Sequence, residues 1–256
     1  MISNLLPIFI FIIGACFGSF LNVLGLRWIS GRSITGRSHC PRCQNKLPWW
    51  QLLPLLSFIY LHARCHRCHH VISVQYPLVE LISGLIALVI FTPLPASSAA
   101  FTAAIILLIL SYNLLILAII DAHTLLLPDS HIITVSLLSI ALIVLRQSPT
   151  PLDALLGALA GAGSLLALWL ITRGKGLGLG DVKLLIPLGA LLGPSAVLVM
   201  LWLAFLFGGL LGAWLLIQKQ ATLKTAIPFG PFIIAAAIII LLAPKLPNYL
   251  LSLWLP

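Results

Sequence analysis

Long apolar runs separated by short polar breaks dominate the 256-residue sequence. About 20 apolar residues are enough for an α-helix to cross the hydrocarbon core of a bilayer. Such runs occupy residues 5–26, 77–91, 101–120, 132–145, 152–171, 184–192, 197–217 and 228–242, and several of the breaks contain Pro. The pattern predicts an all-α, polytopic membrane protein with about eight transmembrane helices, of which the sixth is short enough to be a half-helix. Residues 27–76 form the one long polar segment, and no internal repeat is evident.

The composition supports a membrane protein and excludes a water-soluble domain. The chain is 61% hydrophobic and only 7% charged, whereas soluble domains average about 25% charged residues. The first run has no basic region before it and no small-residue cleavage site after it, so we expect a retained helix rather than a signal peptide. The formal net charge of +9 is interpreted as an orientation signal, and no nucleic-acid partner is expected.

The basic residues predict the orientation of the chain, because Lys and Arg accumulate in cytoplasmic loops. If the 27–76 loop is cytoplasmic and eight spans follow, all 14 Lys and Arg residues except Arg146 and Lys245 fall on the cytoplasmic side. We therefore expect three parts: a first transmembrane helix (1–26), a cytoplasmic loop (27–76) and a transmembrane domain (77–256). In this arrangement Asp121 and Asp181 lie at the cytoplasmic ends of different helices, at the same depth.

Four cysteines in the loop have the spacing of a metal site, with 21 residues between two Cys-x-x-Cys pairs. They are Cys40, Cys43, Cys65 and Cys68. Four thiolates at this spacing are typical of tetrahedral structural zinc. A bound metal would also stabilise a loop that is too polar to bury a core of its own. Two disulfides are the alternative, but they need an oxidising compartment, which a cytoplasmic loop does not provide.

The remaining thiol and the loop histidines receive simpler interpretations. His66, His69 and His70 crowd the second Cys pair; they could replace a thiolate, but solvated side chains are favoured. Cys16 stands alone in the first apolar run, and we interpret it as a packing residue.

Two carboxylates lie where an apolar chain rarely places charge, and the sequence has only five acidic residues. Asp121 ends the run 101–120, and Asp181 ends a glycine-rich stretch that includes Gly178 and Gly180. Ionisable residues in membrane helices mark functional sites, and glycines allow close approach of the backbone to a substrate or another helix. A pair of carboxyl groups, one ionised and one protonated, is the equipment of an aspartyl protease. The hypothesis is therefore that Asp121 and Asp181 form such a pair.

The other acidic residues receive structural interpretations. Asp129 follows a proline before the fourth span, and Asp153 occupies a similar place before the fifth, so both are predicted helix caps. Glu80 lies one turn into the second span, where it could cap the helix or line a polar cavity. Lys183 is two residues from Asp181, and a plain salt bridge between them is the structural alternative to catalysis.

Taken in order, these residues resemble the type IV prepilin peptidases, a family of GxGD aspartyl membrane proteases. The resemblance covers nearly the whole chain. It is carried by Gly18-Ser-Phe-Leu-Asn22-Val, the paired Cys-x-x-Cys loop, Leu53-Pro-Leu-Leu-Ser57, Val74-Gln-Tyr-Pro-Leu-Val-Glu80-Leu, Asp121 with Leu127-Pro-Asp129, Gly178-Leu-Gly180-Asp181-Val-Lys183 and Pro228-Phe-Gly-Pro231.

This resemblance implies an endopeptidase of the bacterial inner membrane, with Asp121 and Asp181 as its catalytic pair facing the cytoplasm. The implied supporting residues are Gly178, Gly180, Lys183, Glu80 and Asp129, the last at a position where Asn is also common. The implied substrates are prepilins or pseudopilins, which carry a basic leader that is cut after a glycine. Many members also methylate the new N-terminal amine with S-adenosylmethionine, through the N-terminal loop region.

Three departures lie in the methylation half of the chain. Ala63 stands where many bifunctional members have Gly, Trp49-Trp-Gln51-Leu52 replaces a tract that usually offers Asn or Asp, and the usual Leu-Pro after Arg27 is missing. The sequence therefore favours the peptidase activity over the methyltransferase activity, although Gly18, Asn22 and Glu80 match.

Two other function classes compete with the peptidase hypothesis. A transporter would use Asp121 and Asp181 to bind a cation or relay protons, but the chain shows no inverted repeat. A metal-sensing membrane adaptor would explain the cysteine loop and leave the two carboxylates unexplained.

Overall fold

The computed structural model describes residues 2–33, 35–174, 176–220, 222 and 225–252. This part of the chain is almost entirely helical, which confirms the predicted all-α class. The helices are α1 Ile2–Ile29, α2 Leu56–Tyr60, α3 Gln75–Phe91, α4 Ser98–Thr124, α5 Asp129–Arg146, α6 Pro151–Thr172, α7 Leu179–Leu192, α8 Pro194–Ile217, α9 Gly230–Leu242 and α10 Leu246–Ser252, with a 3₁₀ turn at Trp49–Leu52.

Several of these helices are long and apolar enough to cross a membrane. Within the described residues, the helices of sufficient length and apolarity are Leu5–Ile29, Ser98–Thr124, Asp129–Arg146, Pro151–Thr172 and Pro194–Ile217. Helices α9 and α10 are bent by 97° and would add a sixth span if they act together. Helix α7 has 14 residues and is therefore about 21 Å long, short of the roughly 30 Å hydrocarbon core. The chain is thus a multi-pass membrane protein, while the number of eight spans stays a prediction.

The chain divides into two compact units, residues 1–104 and 105–256. In the first unit α1 packs against α3 through small residues. A Cβ atom added to Gly18 would lie 2.7 Å from Cα of Glu80, and one added to Gly14 would lie 2.7 Å from Cβ of Ala87. Small residues allow such close helix contacts inside a membrane. The closely packed α1 and α3 therefore hold the two ends of the cysteine loop that connects them.

In the second unit, glycines bring α6 and α7 together. The space for a side chain at Gly157 is taken by the carbonyl oxygen of Gly189, and a Cβ atom on Gly161 would lie 3.4 Å from the carbonyl oxygen of Leu185. The Gly157-x-x-x-Gly161 spacing is a common helix-packing motif in membranes. Because α7 is held on α6 in this way, Asp181 in its first turn has a fixed position.

The two predicted helix caps turn out differently. Residue Pro128, not Asp129, occupies the N-cap position of α5, and no side chain caps that helix. The prediction for Asp129 is therefore wrong, since the helix begins at Asp129 itself and its carboxylate binds elsewhere. Helix α6 is capped by Thr150, whose Oγ1 accepts a 3.2 Å hydrogen bond from the backbone N–H of Asp153 and donates a 2.7 Å bond to its Oδ2. Asp153 thus contributes to a capping box from the third helical position.

Candidate active site and cysteine cluster

Asp121 is a buried carboxylate in the last turn of α4, with a relative exposure of 5%. Its Oδ2 accepts a 3.1 Å hydrogen bond from the backbone N–H of Gly230, the first residue of α9. The N-terminal end of a helix carries a partial positive charge and unpaired N–H groups, which favour a carboxylate. A Cβ atom at Gly230 would lie only 2.6 Å from Oδ2, so only glycine fits this geometry.

Asp181 is the third residue of α7 and is 6% exposed. Its Oδ1 is buried and has no hydrogen-bond partner in the described part of the chain. A buried carboxylate oxygen without a partner is costly, and such groups in native proteins often have a functional reason. The absence of a side chain at Gly178 leaves space beside this group, since a Cβ atom there would lie 3.5 Å from Oδ2 of Asp181.

The two carboxyl groups lie within electrostatic range of each other, since the charge of Asp121 acts on Asp181. They come from the end of α4 and the start of α7, separated by 60 positions in the sequence. The structure therefore buries both acids that the sequence singled out, at the ends of two helices of the same compact unit. It also adds Gly230, which was quoted only within the Pro228-Phe-Gly-Pro231 motif. A glycine between two prolines at the start of an apolar run was the available signal.

Lys183 binds Asp129 and not Asp181. Its Nζ lies 2.8 Å from Oδ1 of Asp129, and both side chains are more than half exposed. The salt bridge proposed between Lys183 and Asp181 is therefore wrong. Residues two positions apart on an α-helix point about 200° apart, which directs Lys183 away from the buried side where Asp181 lies. The bridge joins the first residue of α5 to the second turn of α7. Gly180 leaves room for Leu127, whose Cβ would lie 3.0 Å from a Cβ added to the glycine.

The four loop cysteines converge on a single point. Their sulfur atoms all lie within 4.8 Å of one another, with 3.8 Å between Cys40 and Cys68 and 4.0 Å between Cys43 and Cys65. Four sulfurs bound to one zinc ion at about 2.3 Å in a tetrahedron would be about 3.8 Å apart. The thiols are free, so the disulfide alternative is wrong and the cluster has the dimensions of a metal site.

Two turns of the same shape present these sulfurs. The backbone N–H of Cys40 donates to Asn45 and that of Gln44 to Cys40, and the pattern recurs 25 residues later, from Cys65 to His70 and from His69 to Cys65. Each turn has a left-handed residue after its second Cys, Gln44 (φ 55°) and His69 (φ 53°). The expectation of no internal repeat is therefore wrong at this scale. The shared Cys-x-Arg-Cys of the two turns was the signal.

The two thiols of the second turn differ. The backbone N–H of His70 acts to lower the pKa of Cys68, but burial and the neighbouring sulfurs raise it to about 11, so only Cys65 is electrostatically prepared for a metal. The backbone N–H groups of Cys68, with the larger effect, and Arg67 lower the pKa of the Cys65 thiol to about 7. A thiol with a lowered pKa is more readily available as a thiolate ligand. The metal-type group within the described residues consists of the four cysteines alone, and His66 instead packs edge-on against Trp50 at 5.7 Å between ring centroids.

Glu80 is buried, and its carboxylate binds the loop rather than the N-terminus of its own helix. Helix α3 begins five residues earlier at Gln75, so the capping interpretation of Glu80 is wrong. Its Oε2 accepts a 2.8 Å hydrogen bond from the backbone N–H of Leu55. Leu55 has φ 61° and ψ −47°, a conformation that few non-glycine residues adopt. Nearby, the fully buried Asn22 accepts a hydrogen bond from Gln75 at 3.2 Å.

An apolar multi-pass fold with two buried, interacting carboxyl groups at helix ends defines a membrane protein with the equipment of an aspartyl protease. The chain belongs to the type IV leader peptidase family. Residues 108–213 match that family's profile, and residues 12–94 match the bacterial peptidase A24 N-terminal domain. The match over residues 108–213 contains both aspartates, and the match over residues 12–94 contains all four loop cysteines.

Relatives that share the architecture carry a common name, prepilin leader peptidase/N-methyltransferase. The protein from Aeromonas salmonicida is 38% identical over 212 residues, which covers 80% of this chain and 71% of the relative. The one from Pseudomonas putida is 35% identical over 255 residues, covering 88% and 86%, and the one from Myxococcus xanthus is 38% identical over 218 residues, covering 83% and 64%. No solved structure matches the chain significantly.

Proposed function

We propose that this chain is an aspartyl endopeptidase that removes the leader peptide of type IV prepilins or pseudopilins, with Asp121 and Asp181 as its catalytic pair. The observation that carries the proposal is a pair of buried carboxyl groups at the ends of different helices. One is bonded by Gly230, and the other has an oxygen without a partner among the described residues and feels the charge of the first. Family membership and the names of the relatives support it. They give no support to the transporter hypothesis.

The hydrogen bond from Gly230 suggests how the two carboxyl groups divide the work. An N–H donor at a helix N-terminus stabilises the charged form of a carboxylate, so we assign the ionised role to Asp121. Asp181 then carries the proton, because two interacting buried carboxyl groups do not ionise together.

The reaction is then a water-dependent cleavage of one peptide bond. Asp121 accepts a proton from water while the oxygen adds to the scissile carbonyl carbon, and Asp181 donates its proton to the carbonyl oxygen. When the tetrahedral intermediate collapses, the C–N bond breaks and the amine leaves with the proton held by Asp121. One hydroxyl of the intermediate returns its proton to Asp181 as the new carboxylic acid forms, which restores both groups. Gly178 and Gly180 leave the entrance of α7 without bulky side chains, which suits the approach of an extended substrate.

Two further groups belong to the proposal. The four cysteines would hold a structural zinc ion, because four thiolates leave no open coordination position for catalysis. S-adenosylmethionine would supply a methyl group for the new N-terminal amine. Glu80 is the only acidic residue before Asp121, and its carboxylate already accepts a hydrogen bond from Leu55. We therefore place the methyl donor in the N-terminal unit and name no residue that binds it.

We also propose that the chain resides in the bacterial inner membrane with its active site toward the cytoplasm. The distribution of Lys and Arg supports this orientation, since only Arg146 and Lys245 fall on the opposite side of an eight-span topology. The basic leader of a prepilin, still in the cytoplasm, would then meet the aspartates at that surface.

The test is leader removal in membranes that contain the full chain and a prepilin. Asp121→Asn and Asp181→Asn should each abolish cleavage without loss of membrane insertion, while the capping variant Asp153→Asn should keep it. Mass analysis of the mature N-terminus, with and without S-adenosylmethionine, scores cleavage and methylation separately. Full cleavage by either active-site variant would overturn the proposal.

A further inference from the structure

The long polar loop contains a strongly apolar element that the peptidase mechanism does not use. We call residues 49–60 the aromatic hairpin; it consists of the 3₁₀ turn Trp49–Leu52 and helix α2, Leu56–Tyr60. Neither of these elements buries a single residue. Trp49 is 74% exposed, Ile59 70% and Tyr60 72%. In water such a cluster would be unfavourable, and exposed apolar patches of this kind mark interaction surfaces.

The hairpin also encloses an open apolar cleft of about 490 Å³. It is lined by Trp50, Leu53, Leu56, Ser57, Ile59 and Tyr60. Ser57 contributes the only side-chain hydroxyl besides that of Tyr60. The cleft therefore suits alkyl chains better than a polar ligand.

A buried hydrogen bond sets the level of the hairpin relative to the membrane helices. Leu55, between the 3₁₀ turn and α2, donates its N–H to the buried carboxylate of Glu80. Glu80 lies five residues into α3, which corresponds to about 7.5 Å along the helix axis. The hairpin is therefore held beside the first turns of an apolar helix whose Leu78 and Leu81 are themselves exposed.

The positive charge of the loop indicates which kind of surface covers the hairpin. Residues 27–76 contain seven Lys and Arg residues and no acidic residue. Basic segments next to a membrane helix are attracted to anionic lipids, and Trp and Tyr side chains favour the interface between headgroups and acyl chains. A basic prepilin leader would be repelled by the same charges, so the complementary partner is an anionic lipid surface.

We propose that the aromatic hairpin lies in the membrane–water interface and docks the cysteine loop onto anionic phospholipid. The inserted side chains are Trp49, Leu56, Ile59 and Tyr60, and the basic residues of the loop contact the headgroups. The loop is then a monotopic element held between two membrane helices. This inference depends on the membrane fold and not on the peptidase activity.

Photo-crosslinking of the full chain in lipid nanodiscs tests the proposal. A diazirine-bearing amino acid is placed at Ile59 or, as the control, at the exposed Gln44 in the first cysteine turn. Nanodiscs contain phosphatidylcholine alone or with 40% phosphatidylglycerol as the probe lipid. Zinc content and thermal melting are measured for both variants, so that a misfolded loop is recognised and replaced by labelling at Trp49.

The expected result is at least about five-fold more lipid adducts at Ile59 than at Gln44, because a side chain in the interface contacts lipid and an exposed one contacts water. Adducts with phosphatidylglycerol should exceed its share of the lipid and should decline in high salt. Equal labelling at the two positions, or phosphatidylglycerol adducts no more frequent than its share of the lipid, would overturn the proposal. So would the replacement of lipid adducts by adducts to a co-reconstituted prepilin, since the hairpin would then be a peptide-docking surface.

Discussion

The backbone N–H of Gly230 donates a 3.1 Å hydrogen bond to Oδ2 of Asp121, across 109 positions of sequence. This contact places the positive end of α9 on a carboxylate at the end of α4. It fixes the rotamer of Asp121 and gives its charge a partner in a region with few other polar groups. The start of α9 is therefore part of the candidate active site, although it contributes no side chain.

The first prediction concerns Gly230→Ala. The added Cβ would lie 2.6 Å from Oδ2, so either Asp121 or the start of α9 must move. A displacement of about 1 Å at a reacting group costs on the order of 100-fold in rate. We expect the cleavage rate of Gly230→Ala in membranes to fall by about that factor while the protein still inserts. The control is Gly209→Ala on α8, where nothing lies within 4 Å of an added Cβ; a loss of rate equal to that of Gly209→Ala would contradict the role of Gly230.

The second prediction concerns the removal of a metal ligand. Cys40→Ser breaks a four-thiolate shell, so the zinc content measured by elemental analysis should fall well below one ion per chain. Because the cysteines belong to the N-terminal unit and the aspartates to the other, methylation of the mature N-terminus should weaken before cleavage does. The lone Cys16→Ser in α1 is the matched control and should keep its zinc. If a chelator stopped cleavage while the fold stayed intact, the structural role of the ion would be disproved.

The third prediction concerns the departure at Ala63. This residue has φ 58°, a left-handed conformation that costs a non-glycine residue about 1–2 kcal/mol. Ala63→Gly should therefore stabilise the cysteine loop, offset in part by the greater freedom of glycine in the unfolded chain. The measurement is protection of residues 57–72 from hydrogen exchange or protease. Ala100→Gly in helix α4 is the control and should destabilise by about 0.5–1 kcal/mol. Loss of protection in Ala63→Gly would show that its backbone is not strained.

The sequence located the helices well because length and apolarity are local properties. Seven of the eight apolar runs fall within one helix, and the run 228–242 begins two residues before α9. The helix ends differ from the runs where a turn or cap sets them, as in α7, which starts at Leu179 rather than Leu184. Asp121 and Asp181 stood out for the same reason, since a carboxylate in an apolar chain is conspicuous. The partners of these residues could not be predicted, because they depend on tertiary packing. Gly230 is 109 residues from Asp121, and Lys183 is 54 residues from Asp129.

The last prediction concerns the Lys183–Asp129 ion pair. Both groups are exposed, at 53% and 67%, and exposed pairs contribute at most about 1 kcal/mol, so the pair should align α5 with α7 without dominating stability. We expect Lys183→Ala and Asp129→Ala to reduce cleavage only a few-fold each, and the double variant to be no worse than either single one, because both remove the same bond. The charge-reversed variant Lys183→Asp with Asp129→Lys should recover part of the rate, which a loss of fold would not allow. If Lys183 instead acted on Asp181, Lys183→Ala would be as inactive as Asp181→Asn, Asp129→Ala would be unaffected, and charge reversal would rescue nothing. Initial cleavage rates of these variants in membranes, normalised to the amount of inserted protein, distinguish the two outcomes.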